Sequence, residues 1–181
     1  MKVDDHLILK EKNRIFVNKA IPALNANGFE QSPFTSSWYG KNNLHDYTYE
    51  LCRLNTNSLE YLTTDIILGD KFIQIYLNIF SLDRVPESLD ALKEYSGLQF
   101  QLQPNISTRM RLRDDDIQTI PLLNFTEYKI GRYLTQKGFK RRVKELEKLI
   151  ENDMSNIDSF VSRWHELHTP ITTDWEGKLV E

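Results

Sequence analysis

Between Tyr47 and Leu82, apolar and polar residues alternate in three runs that share one register. Gly69-Asp70 separates two of these runs, and a two-residue hairpin turn there needs the positive φ that Gly accepts. The turn sets Leu68 opposite Lys71, and the pairs Ile66–Ile73, Thr64–Ile75, Leu62–Leu77 and Glu60–Ile79 follow on one side of the sheet. A second turn at Thr56-Asn57 adds Leu51, Tyr49 and Tyr47 to the same side and places Arg53 opposite Glu60, a pair worth about 0.2–1 kcal/mol. A one-residue slip would turn the Ile73/Ile75/Leu77/Ile79 row to the wrong face, so the register is strongly specified. The opposite face collects Thr48, Glu50, Cys52, Tyr61, Thr63, Asp65, Gln74, Tyr76 and Asn78.

Helical spacing dominates both ends of the chain. Ile8, Ile15, Phe16, Ala20 and Leu24 predict a helix over roughly 7–27, ended by Gly28 and either kinked or restarted at Pro22. Val143, Leu146, Ile150, Ile157, Phe160, Val161, Trp164 and Leu167 predict helical structure from Phe139 to Thr169-Pro170. Ser155 with Asp158 resembles a capping box, which divides it into two helices. Residues 169–181 are expected to form an extended tail with Trp175 as an anchor. Pro33–Tyr39 reads as a strand ending near Gly40, and Asp83–Gly97 as a short helix with Pro86 in its first turn. Phe100, Leu102, Met110 and Leu112 alternate with polar residues around Pro104, as a hairpin or an irregular excursion. Asp114–Asp116 reads as an acidic turn, and Phe125–Leu134 fits strand or helix. The expected fold is α+β: an antiparallel meander of about three to five strands, with an N-terminal helix and C-terminal helices on its apolar face, all in a single domain spanning 1–181.

Composition narrows the function classes. A chain of 181 residues with 40% hydrophobic and 27% charged residues is long enough for one ordinary core. Its net charge of −3 argues against a general electrostatic nucleic-acid binder. One cysteine, Cys52, makes no internal disulfide and favours a reducing compartment; the acidic N-terminus lacks a signal-peptide pattern, and no apolar run is long enough to span a membrane. A cytoplasmic location is the expectation, which makes the Asn105-Ile-Ser107 sequon accidental. None of the seven glycines forms a Gly-x-Gly cluster, so phosphate-binding loops and dinucleotide fingerprints are absent, and with them the usual signature of a bound cofactor. No thiolate cluster, Gly-x-Ser-x-Gly elbow or His-Glu-x-x-His helix is present.

Four groups remain as candidate sites. Glu50, Asp65, Gln74, Tyr76 and Asn78 on the polar sheet face could bind a polar ligand or do acid/base work if enclosed; a water-facing side of a sheet has the same composition. Arg109, Arg111 and Arg113 would share one face of a strand and offer paired donors to an acidic partner; an edge strand charged against aggregation has the same pattern. Lys137, Lys140, Arg141, Arg142 and Lys144 open the C-terminal helical region, where Glu145, Glu147 and Lys148 point to a solvated face. His165 and His168 stand three apart, too few for a metal site on their own, and no metal is expected. The leading expectation is a non-enzymatic interaction module, of inhibitor or immunity type, whose partner is another protein. It rests on absent catalytic signatures and on aromatics such as Trp38, Tyr39, Tyr61, Tyr76 and Trp175. The competing expectation is an enzyme or small-polar-ligand binder that uses the polar sheet face.

Overall fold

The computed structural model describes residues 3–42, 46–114 and 127–180. Helix α1 (Asp5–Ile15) begins where the Asp4 carboxylate accepts from the His6 amide. It runs through a π-helical turn, Phe16–Ala20, into α2 (Ile21–Ala26). The π turn has a local cause. Pro22 has no amide to give, and one residue earlier the Ile21 N–H reaches back to the Phe16 carbonyl, so the chain stays helical past the proline.

The sheet is built on β3 (Tyr47–Leu54), β4 (Ser58–Ile66) and β5 (Gln74–Leu82). The observed pairs, Tyr47–Ile66, Leu51–Leu62, Arg53–Glu60, Leu62–Leu77 and Asp65–Gln74, are those the two turns require. Two short strands share the outer edge of β3: β1 (Glu30–Gln31) pairs with Leu51 and Cys52, and β2 (Tyr39–Lys41) with Tyr47 to Tyr49. On the far edge, β5 pairs antiparallel with β6 (Met110–Arg111) and parallel with β7 (Ile171–Thr173). Helices α3 (Gln136–Ser155) and α4 (Ile157–Leu167) complete the α+β fold.

The apolar sheet face carries Tyr49, Leu51, Leu62, Ile66, Ile73, Ile75, Leu77 and Ile79 into the main core. There they meet Ile15, Phe16 and Leu24 from the N-terminal helices and Leu146, Ile150, Phe160 and Trp164 from α3 and α4. Arg53 ties these layers together. It holds buried Glu60 across the strand pair, the Asn27 carbonyl at the end of α2 (2.9 Å) and Asp158 at the start of α4 (2.6 Å). A smaller second core lies on the other face, where Phe34, Leu92 and Phe100 cover Cys52, Leu59, Tyr61 and Phe80.

Several expectations fail for local reasons. Of the expected Pro33–Tyr39 strand only Tyr39 is paired, as the start of β2: the Ser32, Thr35 and Ser36 amides bond Glu50, Tyr95 and Ser96 carbonyls, so residues 33–38 bridge the sheet to its outer cover. The same bonds hold Asp83–Gly97 out of a full helix, leaving one 3₁₀ turn at Leu89–Leu92. Residues 98–111 are an irregular excursion with 3₁₀ turns at Leu98–Gln101 and Asn105–Thr108 and two paired residues in β6. The turn at Gly69 is wider than two residues, because Asp70 N–H bonds the Ile67 carbonyl and pairing stops at Asp65–Gln74. The C-terminal helices are two, but not through a Ser155 capping box. Ser155 ends α3, and the Asn156 side chain turns back to the Asn152 carbonyl (2.7 Å). Asp115, Asp116 and the start of the Phe125–Leu134 segment lie outside the described residues, and Tyr128–Leu134 is irregular apart from a Phe72–Lys129 bridge.

The C-terminal segment joins the molecule through β7. Beyond it, the Trp175 indole donates to the Arg84 carbonyl and meets Tyr95 edge-on at 5.7 Å. Among the described residues, no helix is long and apolar enough to cross a membrane.

Candidate functional site

The five polar-face residues separate into two environments. Glu50 is 2% exposed beneath the outer cover. One carboxylate oxygen accepts from the Trp38 amide (2.8 Å) and the other from the Gln101 side-chain amide. Burial pushes its carboxyl above the ordinary range, against the hydrogen bonds from Trp38, Ser37, Tyr61 and Gln101 that favour the charged form. The neighbouring Tyr61 hydroxyl joins Ser32, Ser37 and Gln101 in one network, and burial raises its pKa far above the usual phenol value. Glu50 therefore pins the covering segments to the sheet. Both its oxygens are engaged.

Asn78 is similarly committed. Its amide donates to the Asn105 carbonyl (2.8 Å), and its oxygen accepts from the Ile79 amide (3.0 Å) and the Thr108 hydroxyl (2.8 Å). Tyr76 donates to Gln74 (2.6 Å), and Gln74 in turn donates to Asp70. Asp65 accepts from Thr48 (3.0 Å) and lies 3.7 Å from the Arg109 guanidinium. Tyr76 and Asn78 line a polar hollow of about 90 Å³ together with Arg109, Thr63, Tyr61 and Gln101. Glu50, Asp65 and Gln74 are not among its lining residues.

The three arginines are not one row. Arg109 stacks over the Tyr76 ring at 3.6 Å, and Arg111 lies over Phe72 at 5.2 Å and bonds Asp114. Arg113, with φ +65°, turns the chain past the sheet edge and grips Asp153 on α3. Met110 and Leu112 are both buried and the Leu112 amide bonds the Ile75 carbonyl (2.9 Å), so the alternation holds through Leu112 and ends at the positive φ of Arg113. Asp153, 3% exposed, also accepts from the Tyr128 hydroxyl (2.8 Å).

Cys52 is fully buried, and burial pushes its thiol up to about 12, which removes it as a nucleophile at neutral pH. His165 and His168 flank the Trp164 ring at 5.2 and 5.3 Å. Among the described residues, no group of three or more His, Cys, Asp or Glu is placed to hold a metal ion.

Two buried charges escaped the sequence reading, and both stand on apolar helical stripes. Lys12 is three residues from Leu9 and from Ile15, and it is fully buried. Its ammonium donates to the carbonyls of Ile67 (3.3 Å), Asp70 (2.9 Å) and Phe72 (3.2 Å), the three outward turns of the β4–β5 loop. Asp153 is likewise three residues from Ile150. A charged residue on a core stripe is the signal that could have found them.

An apolar-lined recess lies elsewhere. Between α1 and the first turns of α3, Val3, Leu7, Phe139 and Val143 line a groove of about 520 Å³ bordered by Lys140 and Lys144. Arg14, also in its lining, bonds Glu11 (2.8 Å) and Glu147 (2.7 Å).

In class, then, the molecule is an α+β protein with helices packed on one face of its sheet, a smaller second core on the other and an apolar-lined recess between α1 and α3. No family model matches the chain, and neither a curated protein nor a solved structure is significantly similar to it.

Proposed function

We propose that the protein is a non-enzymatic interaction module that receives a segment of another protein, as inhibitor and immunity proteins do. One observation carries this reading: the α1–α3 groove is an open recess lined by side chains of Val3, Leu7, Phe139 and Val143 and bordered by charged residues. Recesses with an apolar floor and a polar rim accept helices and extended peptides. The carboxylates of the sheet face support the enzymatic alternative less well. Glu50 is occupied on both oxygens, and Asp65 stands outside the hollow that holds Tyr76. General acid/base work needs such groups within reach of one substrate.

The test is a competition between two surfaces. A partner recovered with the full chain should be lost on Leu7→Glu, an exposed position on α1, and kept on Glu50→Gln. Recovery of no partner by the wild type, together with a metabolite that raises its Tm and fails to raise that of Arg109→Ala, would replace this reading with small-ligand binding at the sheet.

A further inference from the structure

The groove is asymmetric in charge. Lys137, Lys140, Lys144 and Lys148 recur three or four residues apart and so share one face of α3, all of them exposed. Lys140 and Lys144 border the apolar groove on one side and, with Thr135, Lys137 and Arg141, line a hollow of about 570 Å³ on the other. Among the described residues, ion pairs reach Arg141 and Arg142 through Glu145, but none of the four lysines.

Glu11 on α1 and Glu147 on α3, which also line the groove, are both engaged by Arg14. Among the described residues that line the groove, three cations (Arg14, Lys140 and Lys144) stand against two carboxylates (Glu11 and Glu147), and the cations outside an ion pair are Lys140 and Lys144. From Lys129 to Lys148 there are eight Lys and Arg against two Glu, a local net charge of +6 in a chain whose net charge is −3. The first turn of α3 has no acidic residue to complement its N-terminal dipole. Leu134, 95% exposed, immediately precedes the Thr135 cap.

From these features we infer that the groove takes an acidic amphipathic helix of a partner protein. Its apolar side packs on Val3, Leu7, Phe139 and Val143, and one flank of Asp or Glu faces Lys140 and Lys144, with Lys137 and Lys148 a turn beyond. The lysine row spans twelve residues of helix, about 16 Å from first to last, so the docked segment is about three turns long. A nucleic-acid backbone fits less well, because phosphates have no use for an apolar lining. A membrane surface fits less well, because Val3, Phe139 and Val143 lie below the rim, each under 9% exposed. The inference rests on the interaction reading above and adds the chemistry of the partner to it.

The experiment is selection of a random 16-residue peptide library, displayed on phage, against the full chain and against Lys140→Glu/Lys144→Glu. Both lysines are exposed, so the double variant should fold, which circular dichroism checks. Enriched peptides should combine apolar residues at i, i+3, i+4 and i+7 with Asp or Glu on one flank. A synthetic peptide from that set should bind the double variant at least about tenfold more weakly, and weaken further in salt. Enriched peptides without acidic bias, or equally bound by the double variant, would overturn this surface while leaving an interaction module elsewhere on the molecule. Binding of a labelled oligonucleotide or phosphatidylserine vesicle that needs Lys140 and Lys144, with no peptide enriched, would overturn it in favour of a phosphate-bearing partner. Enrichment and binding of nothing would overturn both the surface and the interaction reading.

Discussion

Replacing Lys12 with Met keeps the length and apolar stem of the side chain and removes the ammonium. Three carbonyls, those of Ile67, Asp70 and Phe72, then lose their donor. Hydrogen bonds from a charged group contribute about 1.5–3 kcal/mol each, but two effects reduce the sum. Ile67 stands at an exposed turn and can recover water. The fold also bears the desolvation of the charge, which lowers the Lys12 pKa from 10.5 despite the attraction of Asp70, Asp46 and Asp5. The net expectation is a loss of about 3 kcal/mol, or roughly 6–12 °C in Tm for a chain of this size. Urea unfolding of the wild type, Lys12→Met and the exposed control Lys10→Met measures it. Hydrogen exchange should place the lost protection in residues 67–73. Because the folded chain releases the Lys12 proton at lower pH than the unfolded chain, the wild type should gain stability relative to Lys12→Met as pH rises toward 10.5. A Lys12→Met protein within about 0.5 kcal/mol of the wild type, with unchanged exchange at the loop, would refute the view that this ammonium organises the hairpin.

Asp153→Asn should cost about 2–4 kcal/mol in chemical denaturation, since it leaves Arg113 and Tyr128 facing a neutral group, and Arg113→Met in the same background should add much less than it does alone. Glu50→Gln should fold and should lose stability more steeply than the wild type on acidification. The raised carboxyl pKa gives the wild type a contribution that is complete below about pH 4.5 and is lost as pH rises through the folded value, so the gap between the two proteins should shift in that window and not above it. Gly97→Ala should lose about 2 kcal/mol or more in thermal melts, because Gly97 has φ +70° and an added Cβ would overlap the Phe34 ring in the second core. Gly40→Ala, where no atom lies within 4 Å of the added carbon, provides the comparison, with only the cost of its positive φ.

The central register was legible because two constraints agreed. Each turn proposed a pairing, and only one alignment put Leu51, Leu62, Ile75 and Leu77 on a common face. The helices were legible for a similar reason: Ile15, Phe16 and Leu24, or Val143, Leu146 and Ile150, repeat often enough to define a stripe. The candidate site was legible only as a list of faces. Glu50, Asp65, Tyr76 and Asn78 do share one side of the sheet, but alternation along a strand says nothing about what lies above it. The cover is formed by Phe34, Leu92 and Phe100, which come from segments with no repeating pattern. Arg109 joins Tyr76 and Asn78, and Arg113 leaves for Asp153, because the chain turns away from the sheet at the positive φ of Arg113.

By itself, then, the sequence determined the meander, its register, the face it buries and the two helical blocks, all of which follow from short-range periodicity and turn chemistry. Tertiary structure alone decided the rest. Lys12 meets the hairpin loop across more than fifty residues of chain, Glu50 meets Gln101, and α1 lies against α3 to leave the groove. Such contacts depend on how separate elements fill one volume, and no local pattern of residues encodes that geometry.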